Sequence, residues 1–147
     1  MAQHLTSCLI SPRPWRALSF GLLAFWGWHA PPISAQPAPN WQAVTATERG
    51  QFYIDPASVR RSDGVVRLKT LLDYKLSQTT HNGKAFRSAV SLMEIDCKSD
   101  MGRIVEMSYH AAPMMGGPRV ETQGMVQDWQ DISPESPVRR IASRVCK

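Results

Sequence analysis

The sequence contains few of the residues from which catalytic sites are built. Of its 147 residues only four are histidines and three are cysteines. His81 and His110, the two histidines beyond the N-terminal segment, belong to no recognisable catalytic motif. An enzyme needs a nucleophile, a base or a metal held in a fixed geometry. The sequence therefore predicts neither enzymatic activity nor a cofactor.

Acidic residues are missing from the N-terminal segment, since no Asp or Glu precedes Glu48. Arg13 and Arg16 are the only Lys or Arg residues among the first 35, and an apolar stretch from Ala17 to Trp28 follows them directly. Prolines and small residues then lead to Ala35. This order is typical of a secretory signal, and we predict that residues 1–35 are a signal peptide cut after Ala35.

A membrane-spanning run is also missing. The apolar stretch of the predicted signal is about a dozen residues long, whereas a transmembrane helix needs about 20, so an uncleaved anchor is the less favoured alternative. Cys8 lies in a segment that resembles a lipoprotein box, but it precedes the apolar run instead of following it. We expect an exported protein without lipid or membrane span, in the periplasm or on the outer surface of a bacterium.

A strong excess of one charge is missing from the mature chain. Cleavage removes two of the 17 basic residues and none of the 12 acidic ones, which leaves a net charge of about +3. The remaining charges are scattered along the chain, whereas nucleic-acid-binding domains cluster theirs. A nucleic acid is therefore not an expected partner.

Two cysteines, Cys97 and Cys146, remain after cleavage. An even count in a small exported domain favours a disulfide, and the alternative is two free buried thiols. The bridge would close a loop of about 50 residues, for which chain entropy predicts a stabilisation of roughly 4 kcal/mol.

The rest of the mature chain is mostly strand-like. We expect Gln36–Asn40, which contains two prolines, to be a flexible lead, and residues 41–147 to form one domain. Val65 to Tyr74 alternates between apolar and charged residues, which indicates a strand with one core face and one wet face. Asp55 to Ser58 is predicted to be a turn or a single helical turn. The predicted strands are Gln42–Thr47, Gln51–Ile54, Val65–Tyr74, Lys84–Cys97, Arg103–Ala111 and Arg119–Gln123.

The C-terminal segment changes to a helical period. Ser136 is the predicted N-cap and Pro137 the first helical residue. Because Cys146 lies on the apolar stripe, the disulfide would fasten the helix to the strand that carries Cys97. The predicted fold is α+β, a twisted, meander-like antiparallel sheet of about five to six strands with one C-terminal helix packed on it and one disulfide. The stripe consists of Val138, Ile141, Ala142, Val145 and Cys146.

A series of short segments follows one order along the mature chain: Trp41, Phe52-Tyr53-Ile54-Asp55, Ser58, Arg60-Arg61, Leu72-Asp73-Tyr74, Glu94-Ile95-Asp96-Cys97, Tyr109, Trp129, Pro134, Ser136 and Val145-Cys146. In their order and spacing these segments resemble the surface-adhesin protein E family. The resemblance implies a bacterial envelope protein whose twisted antiparallel sheet carries a C-terminal helix. It also implies an adhesin that binds host matrix or plasma glycoproteins and can form a homodimer. The N-terminal lipid cysteine of some members has no counterpart after the signal.

Charged and aromatic residues on the predicted sheet provide the candidate binding surface. Alternating charges on one strand face and basic residues near the next turn predict a mildly basic surface for an acidic glycoprotein or glycan. Trp129 is a candidate anchor, because Trp and Arg are enriched at interface hot spots. The predicted binding residues are Arg67, Lys69, Lys75, Lys84, Arg87 and Trp129.

Two other functions remain as alternatives, a periplasmic structural or inhibitory protein and a copper-binding periplasmic protein. The copper-binding alternative is suggested by four residues close in sequence that could supply thioether or imidazole ligands, Met107, His110, Met114 and Met115. Methionine more commonly fills gaps in a core, so no metal is predicted. Glu94 and Asp96 point to the same face of one strand, and we expect them to be carboxylates on a solvated sheet face near Lys or Arg and not a catalytic pair.

Overall fold

The computed structural model describes residues 38–124 and 126–147. The predicted signal peptide lies outside these ranges. Within them, no helix is long and apolar enough to cross a membrane. The elements are β1 (Gln42–Ala46), β2 (Gly50–Ser62), β3 (Val65–Thr79), β4 (Ala85–Asp96), β5 (Met101–His110), a 3-10 turn (Pro113–Met115), β6 (Arg119–Gly124), β7 (Gln130–Asp131) and α1 (Pro137–Val145).

The strands form one antiparallel meander. Strands that follow one another in the chain are neighbours in the sheet, in the order β1-β2-β3-β4-β5-β6. The short β7 pairs with the start of β5, at Met101 and Gly102. The predicted antiparallel sheet with one C-terminal helix is confirmed. Its strands β2 and β3 are longer than predicted, since β3 continues past Tyr74 to Thr79.

The hydrophobic core lies between the sheet and α1. Val66 and Leu68 on β3 face Ile95 and Met93 on β4 across the ladder, and all four belong to one buried cluster with Ile54, Ile132 and the α1 residues Ile141, Ala142 and Val145. We call this side of the sheet the helix face. Side chains alternate along a strand, so Arg67, Lys69 and Glu94 lie on the opposite side, which we call the outer face.

The C-terminal helix begins and ends as the sequence predicts. The Oγ atom of Ser136 accepts a hydrogen bond from the backbone N–H of Arg139, and Pro137 is the first helical residue. Cys146 is bonded to Cys97, which follows β4, with 5.5 Å between their Cα atoms. The predicted disulfide is therefore confirmed, and it fastens α1 over the helix face.

The turn predicted at Asp55–Ser58 is wrong. These residues lie inside β2, where the register with β3 shifts between Asp55 and Arg60. Pro56 is tolerated there because β1 pairs with β2 only as far as Ile54, so its missing N–H would have faced no partner strand. The Oγ atom of Ser58 accepts the Lys69 N–H instead, which keeps the bulged strand attached to β3.

The 3-10 turn covers part of the outer face. Met114 and Met115 have φ angles of 52° and 64°, a left-handed conformation that is uncommon for residues other than glycine. Their N–H groups donate to Oδ1 of Asp73 and to Oγ of Ser88. The turn thereby packs against β3 and β4, and the outer face stays open mainly at the end of the sheet that bears Arg67.

Candidate functional site

Four charged residues line up across the open part of the outer face. Arg60 on β2 lies opposite Arg67 on β3, Arg67 lies opposite Glu94 on β4, and Glu94 lies opposite Arg103 on β5. We call these four residues the charged row. Because each residue is paired directly across from the next, the row crosses four strands at right angles to their direction. Neighbouring strands are about 4.8 Å apart.

The carboxylate of Glu94 is shared unequally within the row. Arg103 donates to its Oε2 atom through Nη2 at 2.7 Å and through Nε at 2.8 Å. Arg67 reaches its Oε1 atom only at 3.7 Å, and the Arg67 side chain is 50% exposed. Glu94 therefore neutralises Arg103 and leaves most of the charge on Arg67 available.

Trp129 closes the row at its β5 end. The guanidinium carbon of Arg103 lies 4.4 Å from the centre of the Trp129 ring, within the range of a cation–π contact. The pairing of β7 with β5 directly after Trp129 holds the ring at this edge. Arg103 is thus fixed from two sides, by a carboxylate and by an aromatic ring.

A shallow cleft runs along the charged row, from Arg60 at its β2 end. Arg60 is exposed, and its guanidinium donates to the carbonyls of Ala57 and Val59 in its own strand. The cleft has a volume of about 360 Å3 and extends from Arg60 to Trp129 along the charged row. The four residues of the row line it together with Arg61, whose guanidinium donates to the carbonyl of Val145.

The structure divides the predicted binding residues between two places. Arg67 and Lys69 lie on the outer face, and Trp129 flanks the charged row. The other three lie near the far end of the β3–β4 hairpin, where Lys84 Nζ donates to the carbonyl of Val120 and Arg87 Nε donates to that of Tyr74. Lys75 is exposed beside them. The six residues do not form one continuous surface.

The loop of the β3–β4 hairpin, residues 80–84, is held to β6 by polar contacts. Glu121 accepts hydrogen bonds from Gln123 at 2.8 Å and Asn82 at 3.3 Å, and it lies 3.3 Å from His81. These contacts lower the pKa of Glu121, the bond from Gln123 most of all. This network fastens the loop and leaves little unpaired charge for a ligand.

Three aromatic rings pack together at this end of the sheet. Phe86 contacts Tyr74 edge-on at 5.4 Å and Tyr109 at 4.6 Å between ring centres. Burial raises the pKa of Tyr74 and that of Tyr109, so both phenols are neutral. The rings are packing residues here.

The residues weighed as copper ligands do not form one site. His110 is buried and lies opposite Ser88 of β4, on the outer-face side of the sheet. Met107 lies three positions earlier in β5, so its side chain is on the opposite side of the sheet. Met114 is 41% exposed. Among residues 38–124 and 126–147, no group of three His, Cys, Asp or Glu side chains is placed to hold a metal ion.

With this geometry in view, comparison with known proteins identifies the family. The family model for surface-adhesin protein E matches residues 41–147. The chain belongs to the surface-adhesin protein E family. It is thereby a surface adhesin-type protein, as the sequence resemblance implied. No curated protein matches the chain.

Solved structures of Haemophilus influenzae protein E share the fold. One is 14% identical and matches with a TM-score of 0.57 over 75% of this chain and 90% of the other. A second, from a non-typeable strain, is also 14% identical, with a TM-score of 0.55 over 80% of each chain. A third, in another crystal form, gives 0.57 over 77% and 96% at 14% identity. At this identity the likeness shows the fold alone.

Sequence reasoning missed two members of the charged row as binding residues, Arg60 and Arg103. Glu94 lies near arginines, as the sequence predicts, and it contacts Arg67 and Arg103. The outer-face position of Glu94 follows from strand alternation, but its alignment with Arg60 depends on the bulge in β2. The dipeptide Arg60-Arg61 was the available signal, and it does not show which arginine reaches the outer face.

Proposed function

We propose that this protein is a non-enzymatic binding module of the bacterial envelope, an adhesin that attaches to an acidic host matrix glycoprotein. The observation that supports it best is the charged row, in which three arginines face one glutamate in an open cleft beside Trp129. Arginine and tryptophan are the residue types enriched at interface hot spots, and Arg103 lies directly against Trp129. The binding surface is the outer face at the Arg67 end of the sheet.

The basic residues at the hairpin end make a smaller contribution to this function. Lys84 and Arg87 each donate a hydrogen bond to a backbone carbonyl of the domain. A ligand must compete with those bonds, whereas Arg67 has only a long contact with Glu94. We therefore expect Arg67 to matter more than Lys84 and Arg87.

A binding titration tests the proposal. The domain from residue 36 to 147 is titrated against immobilised matrix and plasma glycoproteins at low and high salt. Affinity should fall steeply with salt, because exposed charges are screened over about 8 to 10 Å at physiological ionic strength. Arg67→Ala should weaken binding more than Lys84→Ala or Arg87→Ala. Arg140→Ala is the matched control, since Arg140 is exposed on α1, the element packed on the other face.

Two results would overturn the proposal. One is that no glycoprotein of the panel binds the folded domain. The other is that one binds with an affinity that is independent of salt and that Arg67→Ala, Lys84→Ala and Arg87→Ala all leave unchanged.

The proposed function requires export, and the mature N-terminus can be measured directly. We propose that the exported chain begins at Gln36 and carries neither a lipid nor the apolar stretch from residue 17 to 28. Intact-mass analysis of the exported protein checks this. A mass that includes that stretch, or an acyl group on Cys8, would contradict it.

A further inference from the structure

We propose that the charged row is a site for sulfated glycans, with Arg60 and Arg67 binding the sulfate groups. This inference rests on the proposed function, because it assigns a ligand class to the same surface. It is carried by three features of the row: its uncompensated charge, the geometry of its donors and its direction across the strands.

The charge of the row is not balanced. Glu94 is engaged by two short hydrogen bonds from Arg103 and lies 3.7 Å from Arg67. Arg60 is bonded only to carbonyls among the described residues. One carboxylate thus faces three guanidinium groups, and two of these, Arg60 and Arg67, lie directly opposite each other. Like charges in directly opposed positions destabilise a sheet, and a bound anion would relieve that repulsion.

The donors suit an oxyanion with several oxygens. A guanidinium presents a planar fork of N–H groups that binds sulfate-like or carboxylate groups through two parallel hydrogen bonds. Arg60 and Arg67 lie on neighbouring strands, about 4.8 Å apart along the ladder. They can hold one sulfate between them or two on adjacent positions of a chain.

The third guanidinium forms a fixed boundary of the site. Arg103 is 28% exposed and bonded to Glu94, and it lies against Trp129. The arrangement exists before any ligand arrives, which lowers the entropy lost on binding. The cleft volume of about 360 Å3 falls within the range of roughly 300 to 1,000 Å3 that is usual for small-ligand clefts.

The position of the row favours a glycan over an acidic peptide. Extended peptides bind to sheets by pairing with the free backbone of an edge strand. Beyond Ile54, β2 has no β1 partner, and a peptide paired with that free edge would run along β2. The row instead runs at right angles to the strands, from Arg60 on β2 to Arg67 on β3 and onward to Glu94 and Arg103. This direction suits a ligand recognised by its anionic substituents and not by backbone pairing.

Isothermal titration with a heparin-derived oligosaccharide tests the inference. The wild-type domain should bind it in low salt, and Arg67→Ala and Arg60→Ala should each weaken binding about tenfold or more, because each removes charge-assisted hydrogen bonds. Arg67→Lys should restore only part of the affinity, since an ammonium lacks the fork. Arg140→Ala, which removes the same charge from α1, should leave the affinity within about twofold.

A substitution of opposite sign sharpens the test. Glu94→Gln removes the only carboxylate of the row while its amide oxygen can still accept from Arg103. It should therefore tighten binding to the sulfated oligosaccharide. Weaker binding by this variant, with an unchanged melting temperature, would contradict the inference.

Three further probes separate the sources of the anion. The same oligosaccharide after desulfation, polyglutamate, and vesicles of phosphatidylglycerol should each bind at least about tenfold more weakly than the sulfated form. Equal binding by polyglutamate or vesicles would overturn the inference, as would an equal loss with Arg140→Ala. If a matrix glycoprotein still binds after enzymatic removal of its sulfated chains, the glycan inference fails while the adhesin proposal stands. If the oligosaccharide binds through Arg67 but no matrix glycoprotein binds, the adhesin proposal fails and the glycan site stands.

Discussion

The two ends of the sheet are stabilised by different kinds of contact. At the helix end, α1 covers a buried aliphatic cluster that includes Leu68, Ile95 and Ile141, and the Cys97–Cys146 disulfide holds the helix in place. At the hairpin end, three aromatic rings pack against one another, and the hairpin loop is fastened to β6 by hydrogen bonds around Glu121.

This difference predicts how each end responds to its surroundings. Aliphatic burial contributes about 25 cal/mol per Å2, and neither it nor a disulfide depends on moderate changes of pH or salt. Exposed polar contacts are individually weak and are screened by salt. We therefore expect the hairpin end to open first. The charged row lies at the helix end, on a rigid support, as a preorganised binding site requires.

The largest effect should come from breaking the disulfide. Cys146→Ser should lower the free energy of unfolding by about 4 kcal/mol, because the bridge closes a loop of 49 residues in the unfolded chain. Guanidinium denaturation of the variant measures this. Thiol alkylation of the native wild type should label neither cysteine. An unchanged melting temperature would contradict the role given to the bridge.

Phe86→Ala should have the next largest effect and should act at the hairpin end. Phe86 is 6% exposed and contacts both Tyr74 and Tyr109, so its removal should cost about 3 kcal/mol through lost burial and a cavity. Hydrogen exchange should quicken in the hairpin well before it quickens in α1. Leu76→Ala is the control, because Leu76 is 74% exposed and its loss should cost less than about 0.5 kcal/mol. If hydrogen exchange quickens equally in the hairpin and in α1, the two ends of the sheet do not open independently.

Local patterns in the sequence predicted the helix end well. The stripe of Val138, Ile141 and Val145 and the capping residue Ser136 each have a short-range signature, and both fall where expected. Alternation in β3 likewise separated Leu68 from Arg67. These features depend on neighbours in the chain, which a single sequence displays.

Features set by long-range register were not predictable in this way. The bulge that keeps Pro56 inside β2 is possible only because β1 ends opposite Ile54, a fact of the assembled sheet. The charged row requires the registers of three strand pairs to align Arg60 with Arg103. The contact of the hairpin loop with β6 joins Asn82 to Glu121 across 39 positions. No local pattern specifies these alignments.

A smaller effect is expected from acid between about pH 6.5 and 5. His110 is buried, and its Nδ1 atom has no hydrogen-bond partner among the described residues. Burial, and secondarily the nearby Arg119, lowers the pKa of His110. The unfolded chain therefore takes up a proton that the folded chain resists, so stability should fall as the pH drops below about 6.5 and level off below the folded pKa.

Urea denaturation at several pH values checks this prediction. His110→Gln should flatten the fall in stability between about pH 6.5 and 5, a range in which ordinary carboxylates stay ionised. His81→Gln is the control, because the His81 side chain is 66% exposed, and it should keep the wild-type slope. If both variants lose the slope equally, or neither does, the buried histidine is not its source.

The smallest effect should come from Glu121→Gln, and it should be local. Hydrogen bonds from Gln123, Thr80 and Asn82 lower the pKa of Glu121, so the stabilisation by its carboxylate is present at neutral pH and is lost as the pH falls through the lowered pKa. At neutral pH the variant should speed hydrogen exchange at the Gly83 amide, which donates to Thr80, and leave α1 unchanged. Glu106→Gln, at an exposed position of β5, removes the same charge and should leave hydrogen exchange unchanged both at the Gly83 amide and in α1. An equal effect of the two substitutions would mean that total charge, and not the fastening of the hairpin loop to β6, controls this end of the sheet.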